Sequence, residues 1–457
     1  MSLNCCRRLT SMLSIQQRNI LLVMVFTGII NSYILRSCVH LALTEMVVKQ
    51  ETSGGRDCTS SKSIDINPNG PRFEWTQRHQ AAILVSFLIG YVLSHTTGHI
   101  LLDKFEGHYI LALGVLTSAA MTAIIPQVII YSNWYVFCGI RLIVGMAQGP
   151  LFAGVAHIFS KWIPKQEHRK ASLLAYLGPH IGNIVAYIGT GILMSSTTCW
   201  EVVYYVWGGL ATFWFLLFAI LCRSNPANHP LITPEEKLLL VNQTESRPRL
   251  KVSRKKMLCD WKTLGIISGW IGHSLVYFFV NISLPKYLKE VIKVNVLENG
   301  IMNSVFYACA MISIFISISA GEKSMPRDDS ALNTRRCLLI FGNLAPCVCL
   351  LLAGYLECDR YKVGFLIALS GLVMGPSYFA VRSSIYDLTH NFGAAATVLV
   401  NGFGTLSYIP VPNAIAYIAS TNSRQEWLII SLTLFGVTGL TTMISVWKST
   451  RQRADWD

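Results

Sequence analysis

Charged residues are scarce in this sequence. Only 14% of its 457 residues are Asp, Glu, Lys or Arg, whereas soluble domains carry about 25% charged residues. Long polar stretches are scarce too, and the longest, residues 223–256, leaves no room for a large soluble domain. The composition, with 52% hydrophobic residues, therefore predicts a protein that crosses a membrane several times.

Acidic residues are fewer than basic ones, 24 against 38, which gives a net charge of +14. The excess Lys and Arg residues gather in particular loops, so membrane topology explains them better than nucleic-acid binding. The 13 cysteines have no paired spacing typical of a metal site. No nucleophile–base or metal constellation is present. We therefore expect no enzymatic activity, no nucleic-acid partner, no metal site and no cofactor beyond a coupling Na⁺ or H⁺.

Apolar runs of roughly 20 residues, long enough to cross a bilayer as helices, recur along the chain. They predict an all-α membrane protein with twelve transmembrane helices in two six-helix bundles. The predicted spans are 19–46, 79–101, 109–130, 134–157, 171–195, 200–222, 262–284, 298–320, 335–355, 360–382, 393–418 and 426–448.

The composition of the loops orients these helices. Both termini and the loops 102–108, 158–170, 223–261 and 321–336 fall on one side, which is rich in Lys and Arg. The positive-inside rule makes that side cytoplasmic. The polar loop 47–78 is then luminal or extracellular. The predicted domains are a cytoplasmic N-terminus (1–18), a first six-helix bundle (19–222), a cytoplasmic central loop (223–261), a second six-helix bundle (262–448) and a cytoplasmic C-terminus (449–457).

The central loop divides the chain into two halves of six spans. This organisation is typical of the major facilitator architecture, in which two bundles rock about a site near the bilayer midplane. Within the loop, Thr233, Pro234 and Glu236 have the spacing of a capping box, with proline at the first helical position. The spacing predicts a short surface helix that begins there.

Two apolar spans of the first half contain an arginine. Arg36 shares one helical face with Tyr33 and His40, and Arg141 shares one with Gln148. A charged side chain at membrane depth is costly and marks a functional site. Two guanidinium groups that face one cavity would bind carboxylate or phosphate oxygens. Alternatively, either arginine could lock helices together by bonding backbone carbonyls.

The second half offers further candidates. In the seventh span His273 and Tyr277 lie four residues apart on one face, and Asn281 follows one turn later. Arg382 and Asn401 are the main polar positions of the tenth and eleventh spans. Arg382 could also simply stand at a helix end.

Several segments carry a resemblance to a known family. RLIVGMAQG and SKWIPKQEHR, from residues 141 and 160, are similar to the signature R-x-x-x-G-x-x-E-G…S-K-W-x-P-x-x-E-R of the anion:cation symporters. FEWTQRHQAAILVSFLIGYVLSH, WEVVYYVWGG, LPKYLKEV, NTRR and NFGAAAT also match, so the resemblance spans residues 18–448. The chain resembles this family of vesicular glutamate transporters, sialin and sodium–phosphate cotransporters, and is nearest the inorganic phosphate branch. The resemblance implies transport of phosphate or small organic anions, coupled to sodium, protons or membrane potential.

The resemblance also places functional positions. The family's first-span and fourth-span arginines fall on Arg36 and Arg141, and its seventh-span arginine or tyrosine falls on His273. The family's fourth-span acid is Gln148 here, and glutamine cannot take up and release a proton. Glu45 is a poor substitute, because it lies on the opposite face of the first helix from Arg36.

Two further departures bear on coupling. His40, His95 and His273 can titrate near neutrality, so a histidine-coupled mechanism and an uncoupled one both stay open. The family's loop after the second span reads G-x-L-A-D/E-R-x-G. This sequence keeps its acid and base as Asp103 and Lys104 but replaces both glycines.

The leading hypothesis is a secondary active transporter of small anions, inorganic phosphate or organic carboxylates, that works by alternating access with sodium or potential coupling. It would function as a monomer in the plasma membrane or in an endolysosomal or vesicular membrane. A non-transporting membrane sensor or scaffold is the alternative. The predicted substrate-binding residues are Arg36, Arg141, His273, Tyr277 and Tyr33, and the predicted coupling or gating residues are Gln148, His40, His95, Asp103, Lys104 and Asn401.

Overall fold

The structure is a computed structural model. It describes residues 16–48, 71–164, 166–243, 254–324, 330–356, 359–389, 392–450 and 452–457. The predicted N-terminus up to residue 15, most of the predicted loop 47–78 and residues 244–253 of the central loop lie outside the described residues.

Helices form almost all of the regular structure in this part of the chain. The first half contains α1 to α7: Gln17–Met46, Gln77–Lys104, Gly107–Tyr131, Trp134–Gln148, Leu151–Trp162, His168–Thr197 and Glu201–Leu221. The central loop contains a 3-10 turn, Pro226–Asn228, and the helices α8 and α9, Pro234–Gln243 and Arg254–Cys259. The second half contains α10 to α18: Trp261–Ile282, Leu284–Glu290, Val296–Ser324, Ser330–Tyr355, Arg360–Leu372, Gly375–Leu388, Gly393–Tyr408, Val411–Ile418 and Arg424–Trp447.

The prediction of an all-α protein with twelve spans in two bundles is confirmed. Ten helices, counting α4–α5 and α14–α15 as one each, are long and apolar enough to cross a membrane. The other two spans are α2 and the pair α16–α17. The first of these carries three histidines, and the second is interrupted, so neither of its parts reaches membrane length alone.

Three spans that the sequence predicts as continuous are broken in the structure, where α4 is separated from α5, α14 from α15 and α16 from α17. A further break separates α10 from α11 at the end of the seventh predicted span. A proline stands at or beside each break, because proline lacks the N–H of a helical hydrogen bond and its ring clashes with the preceding turn. These prolines are Pro150, Pro285, Pro376 and Pro410.

The central loop is attached to the first span. As predicted, α8 begins at Pro234, and the Thr233 hydroxyl accepts a hydrogen bond from the Glu236 N–H at 3.3 Å. The Glu236 carboxylate, however, caps a different helix: it accepts the backbone N–H groups of Gln17 and Arg18 at 3.1 and 3.0 Å. The first N–H groups of a helix have no partner within it, so this carboxylate stabilises the start of α1.

The bundles meet along their whole depth. We call the end of the bundles where α1 ends the loop end, and the opposite end, where α1 begins and α18 ends, the terminus end. At the loop end, Lys289 pairs with Glu45 at 2.8 Å. At the terminus end, the Arg382 guanidinium lies 4.7 Å from the ring centroid of Tyr176. Between them α6 packs along α12. The described residues therefore join the two bundles at both ends and near the middle.

Within the first bundle, α2 and α4 approach until their backbones touch. A Cβ on Gly145 would lie 2.2 Å from the Phe87 carbonyl oxygen, and one on Gly90 would lie 2.2 Å from the Leu142 carbonyl oxygen. Small residues allow this approach between membrane helices. The contact sets the face of α2 that carries Phe87 against the face of α4 that carries Arg141.

Replacing Gly145 with alanine should force α2 and α4 apart. The clash is with a backbone oxygen, which no change of rotamer relieves, so we expect a loss of about 1–3 kcal/mol of stability, as for other overpacked sites. Gly139, on the same helix, has nothing within 4 Å of its added Cβ, so Gly139→Ala is the matched control. Thermal unfolding of the purified proteins tests the contact, and equal unfolding temperatures for the two variants would contradict it.

Candidate functional site

Two arginines lie side by side inside the first bundle. Arg36 on α1 is 7% exposed and Arg141 on α4 is 1% exposed. An N–H of Arg141, at Nη2, donates to the carbonyl oxygen of Arg36 at 3.4 Å. Each guanidinium carbon is 4.8 Å from the ring centroid of Phe87 on α2, so the two are at most twice that distance apart. We call Arg36 and Arg141 the arginine pair.

Aromatic rings surround Arg36. Its guanidinium carbon lies 4.4 Å from the ring centroid of Tyr33 and 4.8 Å from those of Phe87 and Tyr91. The negative faces of aromatic rings attract a cation, most strongly where water is excluded. These rings help to hold the charge in an apolar bundle but do not neutralise it. The predicted pairing of Tyr33 with Arg36 on one helical face is present.

The arginine pair has no carboxylate partner in the described part of the chain. The side chain of Arg36 donates from Nε to the Gln148 amide oxygen at 3.3 Å. Nε and Nη1 of Arg141 are buried and form no hydrogen bond with any described residue. A buried charge is costly when it is not paired. The site therefore presents two positive charges and spare N–H donors to whatever anion reaches it.

Gln148 organises the polar atoms next to the pair. Its amide oxygen accepts from Arg36, while its amide nitrogen donates to the Ser32 carbonyl at 3.1 Å and to the Ser118 hydroxyl at 3.3 Å. An amide can accept and donate at once, whereas an ionised carboxylate can only accept. The glutamine is thus matched to this environment without a change of protonation.

Glu45, which we expected to be a poor substitute for the family's fourth-span acid, lies away from the arginine pair. Its carboxylate pairs with the Lys289 ammonium at 2.8 Å at the loop end. Lys289 also donates to the Thr44 carbonyl oxygen. The carboxylate of Glu45 is therefore engaged between the bundles and does not neutralise the arginine pair.

A polar network connects the bundles next to Arg36. Asn183 on α6, fully buried, accepts from the Ser37 hydroxyl at 2.6 Å and donates to the Tyr277 hydroxyl at 2.8 Å. The Asn281 amide donates to Asn183 at 3.3 Å and to the Tyr307 hydroxyl at 2.8 Å. Tyr277 therefore lies at the interface between the bundles, close to α1, the helix that carries Arg36.

Most of this network was not predicted from the sequence. Its members on α6 are Asn183 and Tyr187. Together with His180, whose ring lies 6.0 Å from that of Tyr277, they have the same i, i+3, i+7 spacing that singled out the first span. The hydroxyl of Tyr187 lies 3.4 Å from Nδ1 of His40 and donates to the Asn281 carbonyl. The spacing on α6 was the available signal.

His273 lies in a separate group of aromatic and basic side chains. Its Nδ1 is 2.9 Å from the Ser377 hydroxyl, and its ring stacks on Trp270 at 4.9 Å. The Arg382 guanidinium is 5.3 Å from the same Trp270 ring and donates to the Thr397 hydroxyl at 3.3 Å. Arg382 lies within α15, where its guanidinium faces the other bundle; the alternative of a simple helix-end arginine does not describe it.

His95 joins α2 to the second bundle. Its Nδ1 is 3.2 Å from the Gly149 carbonyl oxygen, and its Nε2 is 3.2 Å from the Val398 carbonyl oxygen on α16. A neutral imidazole has one N–H group, and only the doubly protonated ring donates from both nitrogens. Full hydrogen bonding of this contact therefore requires a protonated His95, next to Tyr91 of the arginine site, on which it stacks at 5.4 Å.

The remaining predicted residues are not brought to the arginine pair. Lys104 is exposed, and the side chain of Asp103 lies outside the described residues. Nearby, Glu106 pairs with Lys161 at 3.0 Å, and hydrogen bonds from Ser224 and Lys161 lower the pKa of the Glu106 carboxyl. Asn401 is half-buried on α16, and in the described structure its side chain forms no hydrogen bond.

Comparison with known proteins identifies the class of protein to which the chain belongs. The family model described as Major Facilitator Superfamily matches residues 21–412, and the chain belongs to that family. It is therefore a membrane transporter by family and not an enzyme.

The relatives narrow the class further. The chain is 26% identical over 422 residues to the "Putative inorganic phosphate cotransporter" of Drosophila melanogaster, which covers 89% of this chain and 80% of the relative. It is 26% identical to sialin of Homo sapiens, over 89% of this chain and 84% of that one. It is 24% identical to vesicular glutamate transporter 1 of Bos taurus, over 92% and 75%. The resemblance to the anion:cation symporters is confirmed.

Solved structures agree with the fold. A bacterial homologue of the human lysosomal transporter Spinster, inward-facing and occupied, matches with a TM-score of 0.71 at 12% identity, over 94% of this chain and 96% of that one. The D-xylose–proton symporter matches with a TM-score of 0.65 at 12% identity, over 94% and 98%.

Replacing Gln148 with glutamate should make anion binding depend on pH. An ionised carboxylate next to Arg36 competes with the anion, and close charge pairs are worth about 1.5 kcal/mol or more, so apparent affinity at pH 7.5 should fall about tenfold. Protonation removes the competition, so affinity should recover as the pH falls.

Equilibrium binding of phosphate and of glutamate across pH 5–8 measures this effect. Gln148→Met is the control, because it removes the same hydrogen bonds without adding a carboxyl group. If Gln148→Glu and Gln148→Met show the same pH profile, the assigned competition is wrong.

Proposed function

We propose that the protein is a secondary active transporter of small anions, inorganic phosphate or organic carboxylates, and that the arginine pair binds the anion. One observation carries the proposal: Arg141 is buried beside a second arginine, its donor nitrogens Nε and Nη1 form no hydrogen bond with any described residue, and no described carboxylate pairs with either arginine. Guanidinium groups bind carboxylate and phosphate oxygens through parallel hydrogen bonds.

The chemistry of the pair explains why an anion would favour transport. Two uncompensated charges in an apolar bundle are costly, and a bound anion offsets that cost. A ligand shifts a conformational equilibrium only by its difference in affinity between the states. The bundles meet at both ends, so we infer that anion binding favours this closed arrangement and that rocking of the bundles exposes the pair alternately to each side.

The residues at the site also indicate what drives transport. With Gln148 in place of an acid, the described residues next to Arg36 include no carboxyl group that could carry a proton. Sodium or the membrane potential is therefore the proposed driving force, as inferred from the sequence. His40 and His95 are proposed coupling or gating residues, and His95 connects the bundles most directly, since its two ring nitrogens lie 3.2 Å from the carbonyl oxygens of Gly149 and Val398.

The relatives support the class of substrate through their names: an inorganic phosphate cotransporter, sialin and a vesicular glutamate transporter. We propose that the protein works as a monomer, with both termini in the cytoplasm, in the plasma membrane or a vesicular membrane. His273, Tyr277 and Tyr33 are proposed to contact the substrate.

Replacing Arg141 with alanine should abolish anion uptake. Loss of one partner of a buried charge pair costs about 2 kcal/mol or more, which is roughly a 30-fold loss in apparent affinity. Arg141→Lys keeps the charge without the planar fork and should retain partial uptake. Flux into liposomes, measured for phosphate, glutamate and sialate under separate sodium, proton and potential gradients, provides the test.

Arg223 is a suitable control, because it is an exposed arginine at the end of α7. Arg223→Ala should transport as the unaltered protein does. Unaltered uptake by a folded Arg141→Ala protein would contradict the proposed site. Failure of the unaltered protein to transport any of the anions would favour the alternative, a membrane sensor or scaffold.

A further inference from the structure

A second basic site lies at the terminus end of the second bundle, away from the arginine pair. Here the start of α10, the start of α13, the end of α15 and the end of α18 surround a depression. Its lining includes four cationic side chains, several hydroxyls such as those of Ser384 and Ser449, and an apolar floor, but no carboxylate among its described lining residues. We call this depression the basic pocket; its cationic residues are Lys262, Arg335, Arg336 and Lys448.

The positive charge of the basic pocket exceeds its nearby negative charge. Asp387 bonds Nη1 of Arg335, and Asp455, which is 97% exposed, lies 3.4 Å from Lys262. Within the described residues, Arg336 and Lys448 form no ion pair. Arg336 instead donates to the hydroxyl and the carbonyl of Ser449 at 2.6 and 3.2 Å.

One of these cations is not a solvated surface charge. Arg335 is only 9% exposed. Its Nε is buried and forms no hydrogen bond in the described part of the chain. Loop arginines that only set topology lie in water, whereas this one is enclosed by protein and keeps a donor without a partner among the described residues.

Two tryptophans place the basic pocket at the level of lipid headgroups. Trp261, 44% exposed, precedes Lys262, and Trp447, 81% exposed, precedes Lys448. Exposed tryptophans mark the membrane–water interface, where the headgroups lie. The pocket also combines cations with an apolar floor, formed in part by Ile266 and Leu339, which suits an anionic group that carries a hydrocarbon chain.

We propose that the basic pocket binds a phosphate group, supplied by an anionic phospholipid headgroup or by free phosphate. Arg335 and Arg336 would hold its oxygens through guanidinium N–H groups, and Lys448 would contribute charge from the rim. Basic pockets between membrane helices are suited to phosphorylated headgroups. This site is separate from the arginine pair and does not depend on its role in transport.

Native mass spectrometry and thermal unfolding of the full-length protein test the proposal. The two arms use phosphatidylinositol 4-phosphate, against phosphatidylcholine, and inorganic phosphate, against chloride. Arg336→Gln combined with Lys448→Gln should weaken binding about tenfold or more, as expected for two lost surface cations. Lys448→Gln alone breaks no described hydrogen bond, so it should fold normally and weaken binding less.

Lys170→Gln, an exposed lysine at the start of α6 in the other bundle, should bind as the unaltered protein does. To separate the basic pocket from the arginine pair, the pocket substitutions are also made in an Arg141→Ala background, where phosphate bound at the pair is already lost. Binding that falls in both pocket variants, with and without that background, and persists in Lys170→Gln supports the proposal. Binding in the lipid arm identifies the ligand as a phospholipid headgroup, and binding in the phosphate arm identifies it as free phosphate. Undiminished binding in the pocket variants, or no binding in either arm, overturns it.

Discussion

The burial of two guanidinium groups, with no carboxylate partner among the described residues, is the constraint on which the rest of this structure depends. Arg36 and Arg141 share the ring of Phe87, and aromatic faces, one amide and one backbone carbonyl stabilise them only in part. Such interactions hold a cation in an apolar setting but leave its charge. The first bundle therefore keeps an attraction for anions that its own side chains do not satisfy.

The packing of the helices is what makes this arrangement possible. The glycine contacts between α2 and α4 bring Phe87 within reach of both arginines, and the break after Gly149 directs a carbonyl toward His95. Helix α2 thus contacts both arginines through Phe87 and reaches α16 in the other bundle through His95. If the arginine pair binds the anion as proposed, α2 links occupation of the site to contact between the bundles.

If the arginine pair binds the anion as proposed, Gln148 separates anion binding from proton uptake. In the related family an acid stands at this position, and it would be both a counter-ion and a proton carrier. The amide accepts from Arg36 and donates to Ser32 and Ser118, and it leaves the positive charge of the pair intact. This difference favours a site that holds its anion strongly and draws its driving force from elsewhere.

Helical periodicity explains what the sequence could predict. Tyr33 and Arg36, or Arg141 and Gln148, must share a face at their spacing, so the sites on α1 and α4 followed from local geometry. Phe87 could not be predicted, because an apolar residue becomes part of the site only through the neighbours that it meets. The network through Asn183 depends on how the two bundles pack together. The helix breaks lie at prolines, which a prediction of spans from length and hydropathy does not take into account.

The position of a bound anion tests the central claim most directly. Crystals of the protein grown with a brominated carboxylate or with arsenate would show it by anomalous scattering. The account predicts a peak within hydrogen-bonding distance of Nε or Nη1 of Arg141, beside Arg36, and its disappearance in Arg141→Ala. A peak elsewhere in the first bundle, or one that persists in that variant, would contradict it.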